Sequence, residues 1–325
     1  MCIRDRFLYD KNIYGYTWTD LRSIPIGTLP DGRTRYGAFN GVATTNRDLQ
    51  LTNSERGRAF FATARFSKAF DFGLTLDGSY TYSNVKDEGA LTSSTASSNY
   101  GNNAFVDPNR AAYGRSIYEY THQWKGGIDF KREFFGDNET RISLFGEYRS
   151  GRPYSVTMLD NSGGRGAVFG TVGNLGNMLL YVPTAGVDPK VTFDSAASKT
   201  AFDNLITQLG LEKYRGGIVK KNTQTSPDFF KVDLHFSQEL PAFVGDAKFK
   251  LFADVENVLN FIDSDWGSLR QVAFPYNSAI VRVTCAATSG TNCTQYQYSN
   301  VLAPNEVLTS RVSLYGIRVG VRVNF

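Results

Sequence analysis

Few side chains in this sequence have the type and spacing that catalysis requires. The only histidines are His122 and His235, and no segment matches a zinc-protease, serine-hydrolase or phosphate-loop pattern. His235 lies two residues from Asp233 in an alternating segment, which favours a hydrogen bond on the polar side of a strand over a catalytic role. We therefore predict no catalytic residue, no enzyme activity and no cofactor.

Two carboxylates form the one weak candidate for a metal site. Asp263 and Asp265 stand two residues apart in DSDWG, as the ligands of some cation-binding loops do. Further oxygen ligands are not evident, so we interpret the segment as a solvated turn and predict no metal.

Two cysteines are spaced to form a covalent link. Cys285 and Cys293 lie eight positions apart in CAATSGTNC and can bridge a hairpin that turns around Ser289 and Gly290. A disulfide is expected if this segment lies in an oxidising compartment, whereas two free thiols are expected in the cytosol. Cys2 has no evident partner.

The composition favours an all-β chain with many turns. The 325 residues include 18 Tyr, 24 Phe and 31 Gly, and aromatic residues make up 14% of the chain. No run reaches the roughly 18 to 20 apolar residues of a membrane helix, which excludes a helical membrane protein but not a membrane barrel. The net charge of +4 comes without a basic block, so we expect no nucleic-acid partner.

Alternation of apolar and polar residues indicates the strands. In GLTLDGSYTYS, Leu74, Leu76 and Tyr80 fall on one face, and Asp77 falls on the other. The same pattern recurs along the chain. We predict eight strands, at residues 2–10, 58–70, 73–85, 118–132, 139–150, 227–238, 246–258 and 310–325.

The connections between these strands alternate strictly between short and long. The short turns cover residues 70–73, 131–140 and 238–247, and the long polar segments cover residues 12–57, 84–116, 155–227 and 260–309. Outer-membrane barrels have short turns on the periplasmic side and long loops outside the cell. The prediction is an all-β, antiparallel transmembrane β-barrel segment of about eight strands with a periplasmic C-terminus.

Aromatic residues cluster at strand ends, where amphipathic rings would lie at the level of lipid headgroups. The outer girdle is predicted to contain Tyr80, Tyr82, Tyr120, Trp124 and Tyr148. Aromatic residues in the long loops can either contact a ligand or pack the loops together. The candidates for ligand contact are Tyr100, Tyr113, Trp266 and Tyr276.

Several short motifs, in their order and spacing, carry a family resemblance. The segments GRPYS (151–155), DVENVLN (254–260), DSDWG (263–267) and the final GVRVNF resemble the C-terminal portion of TonB-dependent outer-membrane receptors. The segment from Ser97 to Phe130 looks most like the Oar-like subgroup. The resemblance covers nearly all of the chain after Phe7.

The resemblance implies a transport receptor of the Gram-negative outer membrane. Members of this family form a 22-stranded barrel that is closed by an N-terminal plug and energised by the TonB complex through an N-terminal box. The chain would correspond to the last eight strands, without plug, box or signal peptide, and residues 1–6 are suspected to be artefactual. The implied partners are outer-membrane lipid, the barrel-assembly machinery, the remaining strands and plug, and the TonB complex through the missing N-terminal part.

The C-terminal stretch resembles the signal by which the barrel-assembly machinery recognises its clients. Apolar residues occupy every second position up to an aromatic terminus. The residues of this signal are Tyr315, Ile317, Val319, Val321, Val323 and Phe325.

Two other architectures stay open at this stage. The first is a self-contained eight-stranded barrel with a structural or adhesive role, and the second is a soluble β-sandwich binding module. A sandwich would bury Leu74, Leu76 and Leu144 against another sheet, whereas both barrels would expose them to lipid.

Overall fold

The computed structural model describes residues 1–39, 47–110, 112–160, 168–170, 176–241 and 247–324. The strands, in chain order, are β1 (Cys2–Asp20), β2 (Ser23–Thr28), β3 (Thr34–Ala38), β4 (Leu49–Ala69), β5 (Leu74–Asp87), β6 (Gly114–Arg115), β7 (His122–Phe135), β8 (Asn138–Arg149), β9 (Pro153–Asp160), β10 (Met178–Leu179), β11 (Tyr181–Val182), β12 (Val191–Phe193), β13 (Gly217–Ile218), β14 (Gln224–Thr225), β15 (Phe229–Pro241), β16 (Lys248–Glu256), β17 (Arg270–Val272), β18 (Asn277–Ser289), β19 (Asn292–Ser299), β20 (Glu306–Leu308) and β21 (Gly316–Asn324). The helices are α1 (Ala96–Asn102), α2 (Ala196–Gln208), α3 (Val258–Ile262) and α4 (Ser310–Ser313), with a 3-10 turn at Glu212–Tyr214. No helix among the described residues is both long and apolar enough to cross a membrane.

Eight long strands form one antiparallel meander, which we call the main sheet. Its order is β1-β4-β5-β7-β8-β15-β16-β21, so each strand lies beside the next long strand of the chain. All eight correspond to predicted strands. Within the described residues the two edge strands, β1 and β21, pair only with β4 and β16. The prediction of a mostly antiparallel all-β chain is therefore confirmed.

The main sheet has one apolar and one polar face, because alternation stays in register from strand to strand. On the apolar face Ile128 lies opposite both Leu76 and Leu144. The apolar side chains stay accessible: Trp124 is 54% exposed, Leu144 is 38% exposed and Val319 is 74% exposed.

The polar face carries cross-strand ion pairs. The guanidinium of Arg141 lies 2.6 Å from Asp129, and Lys250 lies 3.3 Å from Glu139 on a neighbouring hairpin. His235 Nδ1 is 2.5 Å from a carboxylate oxygen of Asp254. The predicted hydrogen bond of His235 is therefore present, but its partner is Asp254 across the sheet rather than Asp233 on the same strand.

Short and long connections alternate along the main sheet, as the sequence predicts. Tight turns at Gly73 (φ +97°) and Gly136 (φ +66°) join β4 to β5 and β7 to β8. Four long connections start at the opposite end of the strands, at residues 21–48, 88–121, 150–228 and 257–315. Because neighbouring strands run antiparallel, all four lie at the same end of the main sheet.

The first two long strands extend beyond their predicted ends. The sequence predicts that β1 stops at residue 10 and that β4 begins at residue 58. In the structure the pairing between β1 and β4 continues beyond these positions, with Trp18 opposite Leu51. The cause is a register shift next to Asn12, whose φ of +58° breaks the alternation that marks a strand. Residues 2–6, suspected to be artefactual, pair with residues 63–67 in continuous register.

The last strand is shorter than predicted. The segment from residue 310 was assigned to it, but Ser310–Ser313 forms a helical turn and β21 begins only at Gly316. In this turn the Ser313 hydroxyl donates to the carbonyl of Thr309 at 2.8 Å and accepts from the amide of Leu269 at 2.9 Å. These bonds hold the residues before β21 against the last long connection.

The four long connections fold together into a second unit, which we call the head. A six-stranded sheet of order β10-β9-β18-β19-β12, with β14 beside β9, joins the third and fourth connections. Tyr36 of the first connection and Phe105 of the second are buried in the same core as Met158, Ile280 and Tyr298. The main hydrophobic core of the chain therefore lies in the head and not against the main sheet.

Candidate functional site

Four aromatic side chains form a continuous row across the apolar face of the main sheet. Tyr80 lies opposite Trp124, Trp124 opposite Tyr148, and Tyr148 opposite Phe230. The Tyr80 and Trp124 ring centroids are 4.3 Å apart, and the Tyr80 hydroxyl lies 2.8 Å from Nδ1 of His122. We call Tyr80, Trp124, Tyr148 and Phe230 the aromatic row. It presents large apolar rings, and the hydroxyls of Tyr80 and Tyr148 point towards the head end, where they contact His122 and Asp228.

Three of the residues predicted for the outer girdle, Tyr80, Trp124 and Tyr148, belong to this row. Tyr82 lies on the same face, two residues further along β5, and its ring is 6.1 Å from that of Phe60. Tyr120 does not lie on a strand. Its ring lies under the guanidinium of Arg149 at 4.9 Å and of Arg152 at 5.3 Å, and its hydroxyl accepts from Arg152 at 2.6 Å. Tyr120 therefore links the head to the main sheet instead of extending the row.

A shallow groove runs beside the aromatic row. Gly78, Gly126 and Gly146 lie opposite one another on three neighbouring strands and carry no side chain, and the ring of Phe66 lies over Gly78. The groove has a volume of about 630 Å³, and its walls include Phe66 and Trp124. Such a surface suits flexible apolar chains better than water.

An ion pair is buried at the centre of the head. The side chains of Asp31 and Arg33 are 0% and 2% exposed, and the guanidinium binds the carboxylate through Nε at 2.9 Å and through Nη2. Arg33 also donates to the carbonyl of Leu179 at 2.8 Å. Burial lowers the pKa of Arg33, but the Asp31 carboxylate outweighs it and the net pKa is raised. The pair therefore stays charged and fastens the β2–β3 hairpin to the core.

An open cleft of about 320 Å³ lies on the head beside the start of α2. Its charged side chains are connected: Arg215 binds Asp203 at 2.7 Å, and Lys199 binds the other oxygen of Asp203 at 3.3 Å. Burial would raise the pKa of Asp203, but the hydrogen bonds from Arg215 and Lys199 lower it overall. The cleft therefore offers a fixed carboxylate and two cations to a polar molecule.

The opposite wall of the cleft is a turn built on Asp188. Its carboxylate accepts hydrogen bonds from the amide of Thr184 at 2.7 Å, the amide of Lys190 at 2.8 Å and the hydroxyl of Tyr181 at 3.0 Å. These bonds outweigh the effect of burial and keep the pKa of Asp188 below its ordinary value. Val187, at the rim, is 90% exposed. These hydrogen bonds therefore hold this wall of the cleft in place.

The two cysteines lie where the sequence places them. The sulfur atoms of Cys285 and Cys293 are 2.10 Å apart, and the Cα atoms are 5.6 Å apart. The bridge joins β18 to β19 just below a turn at Gly290, whose φ is +59°. It therefore closes the tip of the hairpin that carries the buried Tyr296 and Tyr298.

Removing this bridge should loosen the hairpin tip. We expect the double variant Cys285→Ser, Cys293→Ser to lose about 2–3 kcal/mol of stability in the head, from the loop-entropy estimate for a short closed loop. Hydrogen exchange of β18 and β19 measures this loss, and dithiothreitol should reproduce it in the unsubstituted chain. Unchanged protection in both cases would contradict the prediction.

The loop aromatics differ in what they contact. Tyr100 is only 3% exposed and donates to Asn109 at 3.1 Å, which favours loop packing over ligand contact. The ring of Tyr113 lies 4.7 Å from the guanidinium of Arg56. Tyr276 has φ +66° and its ring lies under Arg152 at 4.7 Å. Trp266 is 53% exposed, so of these four it is the freest to meet a ligand.

Two tyrosines of the head have pKa values raised to about 12. Burial and the hydrogen bond to Asp107 raise the pKa of Tyr36, and burial and the charge of Glu306 raise that of Tyr154. An unfolded tyrosine titrates near 10. The folded head therefore keeps protons that the unfolded chain releases, so this stability is complete below pH 10 and is lost as the pH rises through about 12.

We expect the head to open in alkaline solution over this interval. Tyrosinate absorbance and hydrogen exchange, recorded together from pH 9 to 13, should show loss of protection alongside the late-titrating tyrosines. The double variant Tyr36→Phe, Tyr154→Phe should shift the opening part of the way to higher pH, because burial also raises the pKa values of the tyrosines that remain, Tyr100, Tyr181, Tyr296 and Tyr298. Opening at the same pH in this variant would contradict the assignment.

The two weak metal candidates lie on the surface. Asp263 and Asp265 are exposed, and the Asp263 carboxylate accepts the backbone N–H of Asp265 at 2.9 Å. In the described part of the chain no group of three or more His, Cys, Asp or Glu side chains is placed to hold a metal.

The C-terminal signal residues are exposed along one edge of the main sheet. Ile317, Val319 and Val321 are 56%, 74% and 62% exposed on the apolar face of β21. Val323 lies on the same face at 39% exposure, and Tyr315 precedes the strand with its ring 5.2 Å from that of Phe261. Phe325 lies outside the described residues.

Sequence reasoning missed the cleft because it assigned its walls to a polar loop. A helix signal was present: Ser195 accepts the amide of Ser198 at 3.1 Å as N-cap, and Gly210 follows the last turn with φ +62°. Phe202 and Ile206, four residues apart, supply the buried face of α2. Comparison of the chain with protein-family models, with curated proteins and with solved structures finds no match.

Proposed function

We propose that this chain is a wall segment of an outer-membrane transport receptor of the TonB-dependent type, with the head outside the cell. The observation that carries the proposal is the location of the two apolar surfaces. The head buries its own core, while the apolar face of the main sheet stays open from Ile3 on β1 to Val323 on β21. A face of this size is stable when lipid covers it.

The register of the main sheet supports a membrane-facing surface. Apolar residues extend from Leu74 and Phe130 at the turn end to Tyr82 near the head, or about eight residues along a strand. With a rise of ~3.3 Å per residue this is about 26 Å along the strand, and a tilt of about 40° gives a height of about 20 Å, close to the apolar band of about 25 Å. The aromatic row lies across the part of this band that is nearer the head.

The polar face supports a barrel interior. Several of its charged residues are paired across strands, as in Arg141 with Asp129 and Arg318 with Asp254, which lowers the cost of placing them in a barrel interior. In a complete receptor this face would meet the plug, through which the TonB complex acts. Both of these partners belong to the proposal.

The two open edges support a segment of a larger wall. Backbone groups of β1 and β21 cannot stay unpaired in lipid, because each unsatisfied group costs several kcal/mol. The remaining strands of the receptor would pair with them. The barrel-assembly machinery would recognise the alternating segment that ends at Val323 and Phe325.

The head supports a role in capturing a substrate outside the cell. Its cleft combines the Asp203 carboxylate with Arg215 and Lys199, and Val187 at its rim is exposed. The shared sheet and the shared core of the four connections make the head rigid enough to present the cleft. The proposed activity is transport, with no catalytic step.

Fluorescence of Trp124 tests whether the apolar face meets lipid. The chain contains three tryptophans, so Trp18→Phe, Trp266→Phe leaves Trp124 as the only one. In vesicles of phosphatidylcholine with brominated acyl chains, we expect strong quenching of Trp124. The matched variant Trp18→Phe, Trp124→Phe reports on Trp266 in the head and should not be quenched.

The same preparation separates the proposal from a soluble module. A chain that folds as a monomer without detergent or lipid, or a Trp124 that is not quenched, would overturn the proposal. Folding that depends on detergent, together with quenching of Trp124 alone, supports it.

A distance between the two edges separates a wall segment from a self-contained adhesive barrel. Cys2→Ser removes the unpaired cysteine, after which spin labels on Phe7→Cys and Val319→Cys report the gap between β1 and β21. A closed barrel would bring the edges to about 5 Å and broaden the spectrum strongly. We expect no such broadening for a wall segment.

A further inference from the structure

Three basic side chains lie next to one another across the head end of the main sheet. Lys11 is opposite Arg58, and Arg58 is opposite Lys86. All three continue the alternation of the apolar face, since Lys11 follows Phe7 and Tyr9 at every second position. We call Lys11, Arg58 and Lys86 the basic row.

The basic row has no carboxylate partner among the described residues. The adjacent acids lie on the other face or are already engaged: Asp10 alternates away, and Asp87 binds Lys221 Nζ at 2.6 Å. Lys11 and Arg58 are exposed, and Lys86 is half-buried.

Placing three like charges opposite one another is unfavourable. Neighbouring strands are about 4.8 Å apart, and like charges directly across a strand pair destabilise it. Arg56 adds a further cation, because both Arg56 and Arg58 lie over the ring of Tyr113, at 4.7 and 5.9 Å. Arg115 lies opposite Lys86 as another cation. The acids beside this group are already bound to other cations, since Glu88 lies 3.2 Å from Arg56 and Glu119 lies 2.7 Å from Arg115. An anion bound to the row would relieve the repulsion.

The surroundings of the row specify an anion with an apolar tail. Tyr9 and Phe60 form the next pair on the same face, about 7 Å nearer the middle of the sheet. Phe7 and Tyr9 are 76% and 60% exposed. A free anion would leave these rings exposed to water, whereas a lipid would cover them with its acyl chains.

We propose that the basic row binds the phosphate of an anionic lipid in the outer leaflet. Lys11 and Lys86 would act as point charges, and the Arg58 guanidinium would donate two hydrogen bonds to phosphate oxygens. The acyl chains would lie along Phe7, Tyr9 and Phe60. This inference rests on the proposed function, because the row reaches a headgroup only if the apolar face lies in lipid.

Lipid retention by the detergent-solubilised chain tests the inference. The chain is equilibrated with equal amounts of phosphatidylglycerol and phosphatidylcholine, and native mass spectrometry counts the molecules retained. We expect phosphatidylglycerol to be enriched roughly 10-fold or more. The triple variant Lys11→Gln, Arg58→Gln, Lys86→Gln should lose this enrichment, and the double variant Lys11→Arg, Lys86→Arg, which leaves Arg58 in place, should keep it.

A matched variant controls for net charge. Arg65→Gln, Lys125→Gln, Lys131→Gln removes three positive charges from the opposite face of the main sheet and should retain the enrichment. Equal loss in this control, or no enrichment in the unsubstituted chain, would overturn the inference. Displacement of phosphatidylglycerol by 10-fold excess inorganic phosphate would assign the row to free phosphate and overturn the lipid assignment.

The outcome also separates this inference from the proposed function. Quenching of Trp124 by brominated lipid without preference for phosphatidylglycerol would overturn the lipid site and leave the receptor proposal standing. Absence of quenching would overturn both, since the basic row would not lie near a headgroup.

Discussion

Replacing Leu144 by arginine is expected to destabilise the chain in lipid by about 2–4 kcal/mol, the cost of a cation near the middle of a membrane-facing strand. Leu144 lies opposite Ile128 and Leu234 in the central part of the apolar face. If that face met water instead, an arginine at a position that is 38% exposed would change stability little. Equilibrium unfolding by urea in phosphatidylcholine vesicles, followed by Trp124 fluorescence, measures the difference.

The neighbouring residue supplies the control. Phe145 is on the same strand, 43% exposed and on the polar face, so Phe145→Arg introduces the same charge into the proposed interior. We expect a change below about 1 kcal/mol there. If the two variants lose the same free energy of unfolding, whether large or small, the assignment of the two faces is contradicted.

Replacing Asp31 by asparagine is expected to cost the head about 3–5 kcal/mol, because it leaves the guanidinium of Arg33 buried without its counter-charge. The Arg33 side chain is 2% exposed, and its remaining partners, the carbonyl of Leu179 and the sulfur of Met158, carry no charge. The β2–β3 hairpin should then separate from the core. Hydrogen exchange of the Leu180 amide, which donates to the carbonyl of Val156 at 3.1 Å, reports on the core strands.

An exposed pair in the same connection gives the matched comparison. Arg22 and Asp48 are 2.7 Å apart, but their side chains are 42% and 58% exposed. Asp48→Asn should therefore change stability by no more than about 1 kcal/mol. A small effect of Asp31→Asn, similar to that of Asp48→Asn, would show that the buried pair does not hold the head together.

The main sheet was predictable because its pattern is local. A strand that separates an apolar from a polar environment must alternate, and its neighbours must keep the same register. For this reason β5 and β8 were predicted to within two residues at each end. The errors occurred where alternation is broken, as at Asn12, or continues into a helical turn, as at Ser310.

The head was not predictable to the same degree. Some of its strands pair residues far apart in the chain, such as Ser155 with Asn277, in a parallel ladder. Parallel strands are not joined by a short hairpin turn, so the sequence between them does not mark the pairing. Strand β9 alternates, with Tyr154, Val156 and Met158 against Ser155 and Thr157, but both of its faces are buried, which its sequence pattern does not reveal. Only the cysteine spacing indicated one contact of the head in advance.

The alternating residues alone determined the eight strands, their two faces and the end of the sheet from which the long connections leave, because these features depend on neighbours along the chain. Tertiary structure decided which distant groups meet: Asp254 with His235, Asp31 with Arg33 in the core, and Lys11, Arg58 and Lys86 in one row. Such contacts depend on register and packing between segments tens of residues apart, and a single sequence carries no local pattern that records them.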